Sequence, residues 1–216
     1  MTLRKSIPGI CLLVLGLFQN YGQKINLADQ FKQGKITTVN RETSLFQGDE
    51  AAIEMDAKEG DGLAIVQNMQ FEKGMVKLDI RGENNPGRSF VGFAFNIQND
   101  STYEAVYFRP FNFVAEEAIR KAHMVQYIHH PEYTWRKLRT ERTGQFENEI
   151  NSPPDPDNWF QATLHITGEK VSVYVNDEKE PSLVVSRLAK PESSTIGMWT
   201  GFNSSGRFKN LGLKSE

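Results

Sequence analysis

The chain has 216 residues, 24% of them charged, with a formal net charge of −2 and one cysteine. That balance argues against nucleic acid or an anionic membrane as the main partner. A lone cysteine excludes a disulfide-stapled scaffold. Residues 1–22 read as an export signal peptide. Arg4 and Lys5 open it, residues 10–18 are apolar apart from Gly16, and Gly22 precedes polar Gln23 and Lys24. The apolar run is too short to span a bilayer. Cys11 sits near the front of that run, whereas a lipidated cysteine would follow it. Cleavage near Gly22 removes two of the 25 basic residues and none of the 27 acidic ones, leaving residues 23–216 with a net charge of −4 and no cysteine. A chain of that length buries roughly 70% of its unfolded surface. The expectation is one domain over residues 23–216, periplasmic or secreted, with no membrane span.

From Gln23 onward the sequence alternates between strands and turns. Residues 36–39, 51–55 and 63–69 are short β-prone runs, separated by Gly34, Gln47-Gly48-Asp49 and Glu59-Gly60-Asp61-Gly62. Residues 75–80 alternate cleanly. In residues 91–97, Val91, Phe93, Phe95 and Ile97 share one face, with Gly92, Ala94 and Asn96 opposite. After the Asn99-Asp100-Ser101 turn, Val106 and Phe108 fall on one face and Tyr103, Tyr107 and Arg109 on the other. An aliphatic face backed by an aromatic and guanidinium face is the pattern of a strand with a core side and a working side.

Residues 114–123 (VAEEAIRKAH) predict the single helix, about three turns at most. Residues 151–158 form a proline-rich loop that cannot continue a ladder. Phe160, Ala162, Leu164 and Ile166 then alternate inward, as do Val171, Val173 and Val175. Runs at 183–185, 196–202 and 207–213 finish the chain. Many short strands at this spacing predict an all-β fold, a two-sheet antiparallel β-sandwich of the jelly-roll kind.

The strings GMVKLDIRG, FVGFAFN and YEAVYFRPFNF, the segment VQYIHHPEYTW and the ending STIGMWTGFNSSGRFKNLGL resemble the concanavalin A-like lectin/glucanase superfamily. They look closest to bacterial laminin-G-like and DUF1080-type jelly rolls, often labelled glycoside-hydrolase-like. The resemblance implies a concanavalin A-like sandwich, export, and a carbohydrate context such as polysaccharide degradation. The Glu-x-Asp-x-x-Glu strand of family 16 glucanases is absent, so the resemblance carries no catalytic residues onto this chain.

Candidate ligand-binding residues are Tyr107, Arg109, Gln126, His130, Trp135 and Arg139. They line one surface if residues 103–109, 124–130 and 135–139 are neighbouring strands, because each pair within a strand is an even number of residues apart. Trp135 is the candidate stacking platform. Arg109 is either a ligand donor or half of a structural ion pair with a nearby Glu. His129 and His130 point to opposite strand faces and cannot share an ion, so no metal site is read there. His130 is the one candidate proton carrier. Trp199, between Gly197 and Gly201, reads as packing. Arg136, Lys137, Arg139 and Arg142 form a basic cluster that would favour an acidic polysaccharide. No cofactor is specified. Related sandwiches often hold Ca2+, for which Asp155 and Asp157 are the candidate oxygen ligands. Three functions fit: an exported carbohydrate-binding accessory protein with a glycan groove on one sheet, a glycoside-active enzyme (hydrolase or lyase) using that groove, or a structural interaction domain.

Overall fold

Each alternating run has one apolar face, and two such sheets must cover one another. In the computed structural model, which describes residues 22–216, two antiparallel sheets do so. The export-signal reading, up to residue 21, lies outside the described residues. Strands are numbered in chain order. The first sheet runs β13 (Leu183–Ser186), β12 (Lys170–Val175), β11 (Phe160–Ile166), β6 (Gly74–Arg81), β15 (Gly206–Ser215), β4 (Ile53–Met55) and β3 (Thr43–Leu45), with β1 (Gln23–Ile25) pairing on β15. The second runs β10 (Glu147–Asn148), β9 (Val125–His130), β8 (Thr102–Phe108), β7 (Val91–Asn99), β14 (Gly197–Thr200), β5 (Gly62–Val66) and β2 (Ile36–Val39). The predicted all-β sandwich is therefore the architecture observed.

The register explains the two-faced strands. Val91 and Phe93 on β7 stand beside Phe108 and Val106 on β8, and all four are buried between the sheets. The ring of Phe108 meets that of Phe160 on the opposing sheet edge-on at 5.0 Å. Gly92 stands opposite Tyr107 on the outer face. A side chain at Gly92 would meet the Val106 carbonyl at 2.1 Å and Tyr107 Cα at 2.6 Å, so glycine is what lets Tyr107 lie over β7. The ladders of β7 and β15 are each interrupted once, and Asn96 and Asn210 at the interruptions have φ of 51° and 52°. Asparagine tolerates that left-handed conformation better than most residues.

Helix departs from the expectation of one segment at 114–123. The described residues hold three short α-helices, α1 (Leu27–Lys32), α2 (Ala118–Lys121) and α3 (Trp135–Glu141), and a 3-10 turn at Pro110–Asn112. Only four residues of the expected helix are helical. These elements are too short to show a helical period; α1 and α3 are set by side-chain caps and packing, whereas α2 has neither a side-chain cap nor a buried residue. Asn26 accepts from the Asp29 amide at 3.1 Å, and Leu27 and Ala28 then bury fully. Residues 135–139, read as a strand, form the body of α3. Thr134 caps that helix by accepting from the Lys137 amide at 3.3 Å, Leu138 buries, and no residue of WRKLR is β-branched. Among the described residues, no helix is long and apolar enough to cross a membrane.

Candidate functional site

On the outer face of the second sheet, β8 and β9 pair with Tyr103 opposite His130 and Tyr107 opposite Gln126. Loop residues and α3 rise beside this face and enclose a cleft of about 640 Å³, within the roughly 300–1,000 Å³ range of small-ligand sites. Five of the six candidate residues line it: Tyr107, Arg109, His130, Trp135 and Arg139. Gln126 is fully buried beneath it.

One end of the cleft is a cationic cluster around a buried carboxylate. Glu147 stands opposite Gln126 on the edge strand β10. It accepts from Arg139 Nε and Nη2 at 3.0 and 2.7 Å, and lies 3.9 Å from Arg109 and 3.3 Å from His123 Nε2. Arg109 is 5% exposed. Its Nη2 donates to the Tyr107 hydroxyl at 2.6 Å and to Gln126 Oε1, and its Nη1 donates to the His123 carbonyl at 2.8 Å. The guanidinium is thus a brace under the floor, with the ion pair to a Glu that was one of its two readings.

The other end holds a different chain of contacts. Trp199 Nε1 donates to the Tyr103 hydroxyl at 3.1 Å, which donates to Asp61 Oδ2 at 3.0 Å. The His130 ring stacks on Tyr103 and places Nδ1 at 3.6 Å from the same Asp61 oxygen. Burial, reinforced by Asp61, raises the Tyr103 phenol, and burial pushes Tyr107 up to about 12, so both remain protonated donors. Trp199 also tilts against Tyr107 with ring centroids 4.8 Å apart, and at 3% exposure it is both packing and cleft wall.

Trp135 forms the lip. It is 41% exposed, with the guanidiniums of Arg136 and Arg139 lying 5.3 and 5.1 Å from its ring. Trp135 and Arg139 meet as neighbours one turn apart on a helix, not as alternate strand residues. A spacing of four puts two residues on one side in either period. Asp61, His123, Phe202 and Arg120 also line the cleft and were not singled out from the sequence. They lie in turns or on short elements with no periodicity. The one signal for Asp61 is its place in a Gly-Asp-Gly turn.

The two candidate calcium ligands serve the 151–158 loop. Asp155 accepts from the Asp157 amide at 2.9 Å and from Asn158 Nδ2 at 3.0 Å, and Asp157 accepts from the Asn84 amide at 2.8 Å. Among the described residues, no group of three or more His, Cys, Asp or Glu side chains is arranged to hold a metal ion.

Both cleft histidines sit below their ordinary value of 6.5. Burial is the main cause for each, helped by His129 at His130 and by Arg139 and Arg109 at His123; Asp61 and Glu147 oppose it. The unfolded chain therefore takes up these protons first. Stability is expected to fall as pH drops below about 6.5 and to level off below the folded values. The check is a urea midpoint that decreases between about pH 7.5 and pH 5.5, with a smaller decrease in a His123→Gln, His130→Gln variant.

No protein-family model matches the chain, and no curated protein matches it. Solved structures share its fold. The carbohydrate-binding module CBM66 from Bacillus subtilis matches with a TM-score of 0.58 at 13% identity, covering 82% of this chain and 93% of that one. The carbohydrate recognition domain of Emp46p, solved as a point mutant, matches at 0.55 and 11% identity, covering 85% and 89%. The exoplasmic/lumenal domain of VIP36, in a form bound to Ca2+ and Man3GlcNAc, matches at 0.54 and 9% identity, covering 86% and 87%. At these identities the likeness shows the fold alone, a two-sheet β-sandwich shared with these domains. It does not single out a laminin-G-like or DUF1080-type family.

Proposed function

We propose that the cleft on the second sheet binds a carbohydrate, with Trp135 stacking on a sugar ring, and that the chain acts as an exported binding protein. The observation that carries this is an exposed indole on the lip of a cleft floored by Tyr107 and Trp199. Such a surface suits the C–H face of a pyranose. Structures of this fold include a carbohydrate-binding module and a carbohydrate recognition domain, which supports the same ligand class. The signal-like residues 1–22 support a place outside the cytoplasm. Arg136 and Arg139 beside the platform favour an acidic polysaccharide over a neutral one.

Binding without turnover is the reading the carboxylates favour. Retaining hydrolysis needs two carboxyl groups about 5 Å apart, and inverting hydrolysis roughly 6.5–9.5 Å. Asp61 bonds Tyr103, whereas Glu147 stands across from the position paired with Tyr107. Tyr103 and Tyr107 are four residues, roughly 13 Å, apart along β8, so the two carboxylates are held at opposite ends of the cleft. Glu147 is also occupied by Arg139 at both oxygens.

A glycan array probed with residues 23–216, followed by calorimetry on the glycans that bind, tests the proposal. Trp135→Ala is expected to cost on the order of 1–3 kcal/mol of binding, about fivefold to 150-fold in Kd, with the melting temperature unchanged. Equal affinity in wild type and variant would refute the platform. Release of reducing sugar from any bound polysaccharide would refute binding without turnover.

A further inference from the structure

We infer that Asp61 is a ligand-binding residue of the cleft, a carboxylate held in place to accept hydrogen bonds from sugar hydroxyls at the end away from the arginines. This rests on the carbohydrate reading of the cleft and deepens it by giving the bound chain a direction.

Three observations carry it. First, the backbone around Asp61 is clamped from below. Asn40 Nδ2 donates to the carbonyls of Glu59 and Asp61 at 2.7 and 3.0 Å. Arg41, 5% exposed, donates to the Gly60 carbonyl at 2.7 Å and ties it to β14 through Thr200 Oγ1 at 2.8 Å and the Gly201 carbonyl at 2.9 Å. A turn at a sheet end with this many anchors has little freedom left to lose when a ligand binds.

Second, the carboxylate is aimed. The relay from Trp199 through Tyr103 ends on Oδ2, and His130 Nδ1 faces that same oxygen. Oδ1 has no hydrogen-bond partner among the described residues, and the side chain keeps 30% of its exposure at the cleft wall. One oxygen is thus held by the protein and the other is open to a donor. Hydroxyl to carboxylate is among the stronger neutral-to-charged hydrogen bonds.

Third, the two ends differ in charge. Tyr103 and Arg109 are six residues apart on one extended segment, roughly 20 Å. Asp61 and His130 mark the first end; Arg109, His123 and Arg139 gather around Glu147 at the second. An acidic group on the ligand is repelled from Asp61 and drawn to the arginines, so a hydroxyl-bearing ring lies against Asp61. The ligand class is an oligosaccharide with free hydroxyls at one end and its anionic groups towards the other.

The experiment is a printed array of neutral and anionic oligosaccharides, then calorimetry with those that bind wild type. Asp61→Asn keeps the shape and removes the charge. It is expected to weaken neutral and anionic ligands alike, by about tenfold, the scale of one hydrogen bond to a charged group. Tyr103→Phe keeps the carboxylate and removes the hydroxyl that aims it, and is expected to lose about threefold as a positioning residue. Arg136→Ala should weaken anionic ligands only. Wild-type affinity in Asp61→Asn overturns the inference and leaves the carbohydrate reading standing. Tighter binding of anionic ligands by Asp61→Asn also overturns it, since Asp61 would then act only as a repulsive charge. An Asp61→Asn chain that fails to fold, together with undiminished binding in Tyr103→Phe, would make the carboxylate structural. If no oligosaccharide binds wild type, the carbohydrate reading itself fails, and this inference with it.

Discussion

Arg187→Ala is expected to cost about 3–5 kcal/mol of stability, the scale for removing one partner of a buried ion pair. Arg187 and Glu104 are 2% and 0% exposed by side chain, with Arg187 Nη2 at 2.5 Å from Glu104 Oε2 and Nε at 3.0 Å from Oε1. The carboxylate takes two further bonds, from the Tyr127 hydroxyl at 2.5 Å and Asn96 Nδ2 at 2.8 Å. Arg187 Nη1 also donates to the Thr167 carbonyl at 2.9 Å. Glu104 belongs to β8 of the second sheet, whereas Arg187 and Thr167 adjoin β13 and β11 of the first, so this cluster joins the two layers. Without Arg187, a carboxylate would remain between the sheets with only neutral partners. A urea titration reads the loss as a lowered midpoint. The apolar double replacement Glu104→Leu, Arg187→Met is expected to cost less than Arg187→Ala, because it removes both charges. A double replacement that costs the sum of the two singles would show that the ion pair is not the source of the effect.

Glu147→Ala is expected to cost about 3 kcal/mol and to weaken ligand binding as well. It leaves the Arg109 guanidinium, 6% exposed by side chain, without its carboxylate, which is the expensive way to break a buried pair. Arg139 is 31% exposed, so its share is discounted for solvent. The functional consequence runs through α3. Arg139 anchors that helix to β10 through Glu147 and lies against the Trp135 ring. Freeing Arg139 frees the platform. Glu147→Gln keeps a hydrogen-bond acceptor and should recover part of the stability without restoring the ion pair. The decisive comparison is a melt of both variants beside their Kd values for any glycan the wild type binds. A Glu147→Ala protein with wild-type stability and affinity would show that the cluster braces nothing.

Much of the architecture was legible along the chain. Val76, Leu78 and Ile80, and Phe160, Ala162, Leu164 and Ile166, alternate with outward-facing residues, and each set is buried where the alternation puts it. A period of two is a local property, and a half-buried sheet enforces it at every residue. The split of β8 into Val106 and Phe108 against Tyr103 and Tyr107 followed from the same rule. So did the opposite faces of His129 and His130, which stand across from Glu104 and Tyr103.

The elements that shape the cleft were not legible in this way. α3 is seven residues long, and its pairing of Trp135 with Arg139 fits a strand as well as a helix. A one-turn or two-turn helix is decided by its cap and by what it packs against. Whether Arg109 faces a ligand or a carboxylate depended on Glu147, which lies 38 positions later in sequence and reaches it only through the β9–β10 pairing. Asp61 meets Tyr103 across 42 positions, and Trp199 meets Tyr103 across 96. Backbone periodicity is written in neighbouring residues, so the sequence alone determined the sandwich and the inward face of its main strands. Charge pairing, burial and the making of a cleft depend on residues far apart in the chain, and those only the tertiary structure decided.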